Sequence, residues 1–284
     1  MQQEQLITKA KQQLQTSDAI LVTASNGFSI SEGFNLFAHD QHLFEIAGNL
    51  MKKYQYQNLL QAMQYPYFNT ANQVDMWTIF ARLINKYIIN YQITAMMNSL
   101  KTLLKDKDYF ILTSNVEHHF NLAGFDKNAI LETEGTLAQM QCPEHGDHII
   151  TNHVYDAIPN VKKLIKADNN NGITPTDLPH CKICGAVMIP HLMLNPSFVK
   201  DKDGAKRFSQ FIDINLSFPK KMTILELGVG QNHPQFRSLT NGLVTSLPIN
   251  YIIINHDSIK VPDDVKQPPI ELLGNINEIL PKLV

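Results

Sequence analysis

Short apolar runs alternate with helix-length segments along this chain of 284 residues. Four of these runs have the length of a strand and are apolar almost throughout, at residues 18–24, 108–114, 222–228 and 249–255. Residues 3–16 and 84–105 carry apolar side chains at helical spacing, which predicts two helices. Strands without polar alternation are buried on both faces, as in a parallel sheet that helices cover on both sides. The pattern therefore predicts an α/β fold built on a doubly wound parallel sheet.

Two stretches of the chain interrupt this pattern. Residues 41–83 are rich in aromatic residues, Gln and Asn and carry few charges, which predicts a packed helical segment. Residues 136–205 contain all three cysteines, five histidines and the loop Asn169-Asn-Asn-Gly, and we interpret them as an inserted small domain. The remaining residues, 1–40, 84–135 and 206–284, are then expected to form the sheet domain.

Composition and charge exclude several classes of protein. The chain has 24 Lys and Arg residues against 26 Asp and Glu residues, and 44% of it is hydrophobic. Intrinsic disorder requires lower hydrophobicity and a higher net charge, and the chain lacks the basic excess that neutralises nucleic-acid phosphates. The N-terminus is polar, and no apolar run approaches the ~20 residues of a membrane span. We therefore expect a soluble, cytoplasmic protein that binds neither nucleic acid nor membranes.

The three cysteines form the sharpest local pattern in the sequence. Cys142-Pro-Glu-His145 and Cys181-Lys-Ile-Cys184 are two chelating pairs with two-residue spacers. Two such pairs can close a tetrahedral zinc site, which is structural when all four ligands come from the protein. His148 competes for the place of the fourth ligand, and the alternative is that the cysteines are ordinary core residues. An odd number of cysteines cannot pair completely in disulfides, so a reducing compartment is expected.

Polar and glycine residues follow each predicted strand. The first strand ends in Thr23-Ala-Ser-Asn-Gly27-Phe-Ser29, a loop of small residues that lets backbone amides approach a pyrophosphate. Similar residues follow the later strands: Thr113, Ser114, Asn115 and Glu117; Glu132, Glu134 and Gly135; Gly228 and Gly230; and Asn255. Doubly wound sheets bind ligands at these strand ends. Each residue taken alone is equally well explained as a turn or a helix cap.

The order of these motifs resembles that of the sirtuin family over about the whole chain. In the first half of the chain, Ala24 through Gly33 matches the family's Gly-Ala-rich NAD loop, Thr113-Ser-Asn115-Val-Glu117 matches Thr-Gln-Asn-x-Asp, and Leu122-Ala-Gly-Phe matches the residues that follow that motif. Glu132-Thr-Glu134-Gly135 then matches Glu-x-His-Gly, just ahead of the cysteines. Near the end of the chain, Gly228-Val-Gly230 matches the Gly-Thr-Ser ribose loop, Ile254-Asn255 matches the Ile-Asn strand end, and Gly274-Asn-Ile276 matches Gly-Asp-Ala. The resemblance implies that the sheet domain is a Rossmann-like, NAD-binding domain.

Within the sirtuins, the chain is most similar to the microbial class M branch, which is linked to macrodomain genes. The similarity includes residues 23–29, Ser31, Gly33-Phe34, Tyr65-Pro-Tyr-Phe and Trp77. Members of this branch are described as transferring ADP-ribose to a protein that carries a lipoyl group. The resemblance thus implies an NAD-dependent protein ADP-ribosyltransferase whose acceptor is a protein such as a lipoylated carrier. The alternatives are a divergent sirtuin that binds NAD or a protein partner with little turnover, and an NAD-dependent protein deacylase.

Several positions depart from the family pattern. Thr23 and Ser25 stand where the NAD loop has glycines, Asn26 stands where a small residue is usual, and no Arg follows the loop. Glu134 stands at the place of the catalytic His, and Glu117 at that of the Asp. Deacylation in the family uses a neutral imidazole, whereas transfer needs an acceptor and a carboxylate that can remove a proton. Glu134 is therefore better explained by transfer.

The resemblance also implies the places of the cofactor and of the catalytic residues. The pyrophosphate of NAD is expected against residues 24–29, the nicotinamide ribose near Asn115 and Glu134, and the adenosine near Gly228, Gly230 and Asn255. Asn115 and Glu134 are the expected catalytic residues. The complete set of expected cofactor contacts is Ala24, Ser25, Gly27, Phe28, Ser29, Gly33, Asn115, Glu117, Gly228, Gly230, Asn255 and Ile276.

Overall fold

The computed structural model describes residues 2–68, 72–144, 154–217 and 221–284. Its strands, in chain order, are β1 Ala19–Ala24, β2 Asp108–Thr113, β3 Ile130–Glu132, β4 Gly135–Gln141, β5 Val154–Asp156, β6 Ile189–Leu192, β7 Met222–Leu227, β8 Asn250–Asn255 and β9 Ile270–Leu273. Within the described ranges, six of these strands form one sheet in the order β3-β2-β1-β7-β8-β9. Every pairing in that sheet is parallel.

Helices surround this sheet. The helices, in chain order, are α1 Gln2–Gln15, α2 Asn26–Ser31, α3 Gln41–Ala47, α4 Leu50–Tyr54, α5 Leu59–Phe68, α6 Gln73–Ile84, α7 Ala95–Leu104, α8 His119–Leu122, α9 Ile158–Asn170, α10 Lys202–Ser217, α11 Pro234–Ser246 and α12 Ile276–Ile279. A π-helical turn, Asn85–Ile89, extends α6, and single 3₁₀ turns lie at Lys127–Ala129, Pro175–Asp177 and Leu280–Leu283.

The central strand shows that both faces of the sheet are buried. Ile20 and Val22 of β1 pack into a core shared with α1, α7 and α12. Ala19 and Leu21, which point to the opposite face, pack into a second core shared with α10 and α11. Successive side chains of a strand point to opposite faces, so an apolar run without alternation is what this environment requires. The predicted doubly wound parallel sheet is confirmed.

The register aligns the carboxyl ends of the central strands at one edge of the sheet. Ala24, the last residue of β1, lies opposite Thr113 of β2 and Leu227 of β7. Leu227 in turn lies opposite Ile254, and Asn255 lies opposite Leu273. The loops that leave these strands are therefore neighbours, although they are far apart in the sequence.

The predicted helix over residues 84–105 is interrupted in the structure. Residues 91–94 are not helical, and α7 begins only at Ala95. The hydroxyl of Thr94 accepts a hydrogen bond from the backbone N–H of Met97 at 3.0 Å and so caps α7. The hydroxyls of Tyr91 and Thr94 both donate to the buried carboxylate of Glu32. These side-chain bonds hold the break in place.

The remaining elements form a second body of structure. Within the described residues, β5, β4 and β6 form an antiparallel sheet in that order. This sheet shares a hydrophobic core with the helices of residues 41–84 and with α9, through residues such as Leu43, Trp77, Leu137 and Val161. The indole N–H of Trp77 donates to the carbonyl of Met188 at 2.8 Å. The helical segment and the inserted stretch therefore fold against each other, while the domain boundaries stay a prediction.

None of the helices in the described part of the chain combines the length and the apolar character that crossing a bilayer requires.

Candidate functional site

Two glycines bring the loop after β1 against the loop after β7. The backbone N–H of Gly27 donates to the carbonyl of Gly228 at 3.0 Å. A Cβ atom on Gly27 would lie 2.6 Å from the Cα of Gly228, and one on Gly228 would lie 2.4 Å from the backbone nitrogen of Phe28. Gly228 also has a φ of +62°, which favours glycine. Both positions therefore require glycine for the two loops to meet.

Serine side chains join the loop after β1 to the loop after β2. The hydroxyls of Ser25 and Ser114 lie 2.9 Å apart. The hydroxyl of Ser29, on the first turn of α2, donates to Oε1 of Glu117 at 2.7 Å. These bonds fix Glu117 beneath α2 and set the relative position of the two loops.

Asn115 is the least satisfied residue of the site. Its side chain lies in a position that is 4% exposed, and neither its Oδ1 nor its Nδ2 has a hydrogen-bond partner among the described residues. Oε2 of Glu117 is likewise buried without a partner in the described part of the chain. Buried polar atoms without partners cost free energy, so native structures satisfy nearly all of them. The pair offers two acceptor oxygens and the two N–H donors of one amide group to a bound polar molecule.

The charge of Glu117 is set by its burial. Removal from water raises the pKa of Glu117 to about 7, and the hydrogen bond from Ser29 opposes part of the rise. The carboxylates of Glu132 and Glu32 raise it further by repulsion. Near neutral pH the side chain can therefore either donate or accept a hydrogen bond.

A second buried polar group supports α2 from the other side. Glu32 accepts hydrogen bonds from the hydroxyls of Tyr91, at 2.7 Å, and Thr94. The ring of His119 stacks on Tyr91 with centroids 3.9 Å apart, and its Nε2 lies 2.8 Å from the carbonyl of Tyr87. Burial lowers the pKa of His119 to about 4, so the ring is neutral at physiological pH. Since a carbonyl only accepts, Nε2 carries the proton.

No motif in the sequence marks this supporting group. Its signals were a lone acidic residue, Glu32, in an otherwise uncharged loop, and a pair of histidines directly after Glu117. An isolated acid in such a loop is either exposed or held by hydroxyl donors, and the sequence does not distinguish the two. The donors Tyr91 and Thr94 lie more than one helix away in the chain.

Glu134 lies in the turn between β3 and β4. Gly135 has a φ of +83°, and a Cβ atom there would lie 2.1 Å from the carbonyl oxygen of His191, so glycine is required beside Glu134. The turn is tied to the end of β2, because the backbone N–H of Thr133 donates to the carbonyl of Thr113 at 2.8 Å. The carboxylate of Glu134 is half-buried, and burial raises its pKa. A carboxyl group with a raised pKa is a stronger base than an exposed one.

Asn255 and Gly230 lie at the other end of the site. The side-chain amide of Asn255 donates to the carbonyl of Val229 at 3.1 Å and so supports the loop between Gly228 and Gly230. Gly230 is open, because a Cβ atom there would meet no atom within 4 Å. A ligand could therefore approach the backbone at Gly230.

The three cysteines come together in space. The sulfur atoms of Cys142, Cys181 and Cys184 lie within 4.8 Å of one another, and those of Cys142 and Cys184 are 3.5 Å apart. Tetrahedral zinc with Zn–S bonds of about 2.3 Å places its sulfur ligands roughly 3.8 Å apart, so this cluster could hold a zinc ion. His145 and its competitor His148 lie outside the described residues.

Two known proteins of similar sequence are named as ADP-ribosyltransferases. No protein-family model matches the chain. It is 25% identical over 283 residues to a protein ADP-ribosyltransferase of Staphylococcus aureus (strain Mu50), covering 96% of this chain and 86% of that one. It is also 25% identical over 236 residues to a Fusarium oxysporum f. sp. cubense protein named "Probable bifunctional ADP-ribose hydrolase/ADP-ribosyltransferase", covering 80% of this chain and 38% of that one.

Solved structures decide the fold. A structure solved to explain the mechanism and regulation of Sir2 enzymes matches this chain with a TM-score of 0.59 and 17% identity. The match covers 99% of this chain and 97% of the solved one. A Sir2 homologue in complex with ADP-ribose covers 97% of this chain and 94% of its own, with a TM-score of 0.62 and 15% identity. The chain has the Sir2 fold. The predicted resemblance to sirtuins is thereby confirmed, and the link to macrodomain genes stays a prediction.

Within this Sir2 fold, the predicted residues divide into two groups. The structure brings the loops of Ser25, Gly27, Ser29, Asn115 and Glu117 together, with Gly228 against Gly27. In contrast, the side chains of Phe28 and Ile276 are buried in the apolar core beside the sheet. Ala24 is also buried there, and Gly33 follows α2 with a φ of +90°. Any contact between NAD and Phe28 or Ile276 would therefore have to use backbone atoms.

Proposed function

We propose that the chain is a sirtuin-type, NAD-dependent protein ADP-ribosyltransferase. The observation that carries the proposal is the buried side chain of Asn115, which has no partner for either amide atom among the described residues. It lies at the strand ends of a Sir2 fold, two residues before Glu117, and the end of its strand is bonded to the turn that holds Glu134. The similarity to proteins named ADP-ribosyltransferases supports transfer over other sirtuin activities.

The donors and acceptors at these strand ends fit NAD. The unpartnered amide of Asn115 and carboxyl oxygen of Glu117 match the hydroxyls and the carboxamide of its nicotinamide end. When bound, NAD supplies an ADP-ribosyl group. The residues proposed to hold it are those predicted from the sequence: Ala24, Ser25, Gly27, Phe28, Ser29, Gly33, Asn115, Glu117, Gly228, Gly230, Asn255 and Ile276.

Two departures from the family pattern are compatible with this binding. Ser25 stands where sirtuins have glycine, but its hydroxyl bonds with that of Ser114 at 2.9 Å. Thr23, the other replaced glycine, lies within β1 and is buried. The hydroxyl of Ser25 is thus bonded within the protein, Thr23 lies inside the sheet, and the backbone at Gly27 keeps its close approach to Gly228.

We assign two catalytic roles. Asn115 orients the ribose or a water molecule through its amide. Glu134 accepts the proton of the incoming acceptor through a carboxylate whose pKa burial has raised. The acceptor is a protein side chain or a lipoyl group on a carrier protein, and the three thiols fit a location in the reducing cytoplasm.

Nicotinamide release and label transfer test this function together. The full chain is incubated with NAD labelled in the adenylate, in the presence of a carrier protein with or without its lipoyl group. We expect release of nicotinamide coupled to labelling of the lipoylated carrier. Because loss of a general base typically lowers rates ~10²- to 10⁴-fold, Glu134→Gln should reduce transfer on that scale while NAD affinity changes little. Glu278→Gln, an exposed glutamate on α12, is the matched control.

Each contrary outcome points to another function. Nicotinamide release without protein labelling would indicate a hydrolase, and deacylation of an acetylated peptide at a faster rate would indicate a deacylase. NAD binding without release would indicate a binding protein. Transfer at the parent rate by Glu134→Gln would show that Glu134 is a turn residue.

We further propose one structural zinc ion per chain, bound by Cys142, His145, Cys181 and Cys184. The cluster of three sulfur atoms supports this proposal. Elemental analysis should find about one zinc per chain in the parent. Cys181→Ser should lose the metal and lower the unfolding temperature, because metal binding and folding are coupled. Ile183→Ser, an exposed position in the same turn, should do neither. Absence of zinc from the purified parent would disprove the site.

A further inference from the structure

A cavity of about 470 Å³ lies outside the predicted NAD site. The ends of β3 and β6, the start of β4 and the segment that leads into α10 surround it. Its volume is within the range of small-molecule sites, about 300–1,000 Å³. None of the residues predicted to contact NAD lines it. The side chains that matter for its chemistry are His118, Glu132, His191, Lys127, Lys200 and Arg207.

His191 provides an unused acceptor in the wall of this cavity. It is 6% exposed, and its Nε2 lies 2.7 Å from the carbonyl of Val199. A carbonyl can only accept, so Nε2 carries the hydrogen and Nδ1 of the neutral ring is an acceptor. Burial lowers the pKa of His191, which keeps the ring neutral. Nδ1 has no hydrogen-bond partner within the described ranges and almost no surface open to solvent, so a ligand hydroxyl satisfies it once the side chains around the ring move slightly aside.

His118, which lies in the same wall, has an unusual backbone conformation. Its φ of +65° is in the left-handed region, which is unusual for a residue other than glycine. Its Nδ1 lies 2.9 and 3.1 Å from the two carboxyl oxygens of Glu132. Such strain persists only where the surroundings hold it, and it is concentrated at functional sites. Here the hydrogen-bond geometry places an imidazole and a carboxylate together on the wall.

The rim of the cavity carries an excess of positive charge. Lys127 and Lys200 form no salt bridge with any described residue. Arg207 lies 3.7 Å from Asp201, and its Nε–H donates to the carbonyl of Asn128 at 3.1 Å, so the other N–H groups of its guanidinium remain available to a ligand. The carboxylates that face the cavity are already engaged, Glu132 by His118 and Asp201 by the backbone N–H of Gly204 at 2.7 Å. Three cations at the rim can therefore bind an anionic group.

We propose that this cavity binds a small phosphate ester that also bears hydroxyl groups. The phosphate lies at the rim between Lys127, Lys200 and Arg207. A hydroxyl donates to Nδ1 of His191, and further hydroxyls donate to the lone pairs of the Glu132 oxygens that His118 leaves unused. This arrangement satisfies the buried acceptor and the unpaired cations with a single molecule.

Calorimetry on the full chain tests the proposal with ribose 5-phosphate as the probe. We expect saturable binding that ribose alone and inorganic phosphate alone reproduce only weakly. Because a charge-assisted hydrogen bond is lost, Lys200→Ala and Arg207→Ala should each weaken binding about tenfold or more. Lys206→Ala, an exposed lysine of α10 that does not line the cavity, is the matched control and should bind as the parent does.

A variant of the NAD site separates the two binding places. Asn115→Ala should leave ribose 5-phosphate binding unchanged if the probe occupies the cavity. Its loss in Asn115→Ala would place the probe in the NAD site and overturn the proposal. The proposal would equally be overturned by no saturable binding to the parent, by parent-like binding in Lys200→Ala and Arg207→Ala, or by equal weakening in Lys206→Ala.

Discussion

Two buried glutamates of the sheet domain, Glu226 and Glu117, differ in how their oxygens are satisfied. Glu226 of β7 is 0% exposed, and both of its oxygens are bonded, one to Arg237 and one to the hydroxyl of Tyr251 at 2.9 Å. Glu117 is 1% exposed, and the hydroxyl of Ser29 bonds only its Oε1. Burial raises the pKa of both residues, but only Glu226 has a buried cation that opposes the rise.

The difference separates a structural cluster from a candidate binding site. Arg237 also donates to the carbonyl of Val229 at 3.0 Å, so the cluster around Glu226 fixes the loop that carries Gly228 and Gly230. The group around Glu117 leaves polar atoms that nothing in the described protein satisfies. A buried carboxylate with all its bonds made holds a loop in place, whereas one with a free oxygen is available to a ligand.

Removing the partner of Glu226 should have the largest effect on stability. Arg237→Met leaves Glu226 buried without its counter-charge and removes the bond to Val229. Breaking a buried pair on one side typically costs about 3–5 kcal/mol, so the free energy of unfolding in urea should fall by that amount. Lys206→Met, an exposed cation on α10, is the control and should change it little. A loss below about 1 kcal/mol in Arg237→Met would remove the contrast with Glu117.

The free energy of unfolding should depend on pH because the carboxyl group of Glu117 is buried. Its pKa is about 7 in the folded protein against an ordinary 4.5, so the folded state binds the proton more tightly. The contribution of Glu117 to the free energy of unfolding is therefore greatest below its unfolded pKa and falls as the pH rises through that value toward 7. The fall amounts to on the order of 3 kcal/mol. Between the unfolded pKa and pH 7, the free energy of unfolding measured by urea titration should fall more in the parent than in Glu117→Gln, by about the same amount. Parallel profiles for the two proteins would contradict the raised pKa.

A smaller effect should follow loss of the single bond to Glu117. Ser29→Ala removes the hydroxyl that lowers the pKa of Glu117, so the pH-dependent fall in stability should extend to higher pH than in the parent. The loss of stability itself should be about 1 kcal/mol. Ser99→Ala, a partly exposed serine on α7 whose hydroxyl bonds only its own helix, is the control. A pH profile that is the same in Ser29→Ala and the parent would show that the bond does not set the pKa.

The central part of the fold was predictable because its signals are local. Strands β1, β2, β7 and β8 are apolar over most of their length, and a strand buried on both faces needs no other pattern. The meeting of Cys142 with Cys181 and Cys184 was also predictable, since each chelating pair is visible as a two-residue spacing. The roles proposed for Asn115 and Glu134 came from the order of motifs and stay a prediction.

Other features depend on contacts that sequence patterns do not reveal. Strand β3 has three residues and β9 has four, which is too short for a clear run. The break between α6 and α7 depends on the bonds from Tyr91 and Thr94 to Glu32, which is distant in sequence. The sequence also gives no sign that His119 is buried against Tyr91, where it is a neutral supporting residue.

The pairing of β1 has a consequence for how the protein is made on the ribosome. Residue 19 pairs with residue 108 of β2 on one side and with residue 222 of β7 on the other. One side of β1 therefore stays unpaired until β7 has been translated. At about 5–20 residues per second, that delay is on the order of ten seconds. During it, β1 presents an open, apolar edge, and such edges promote aggregation. Nascent chains that end before β7 should therefore depend on chaperones, whereas chains that extend past it can close the sheet.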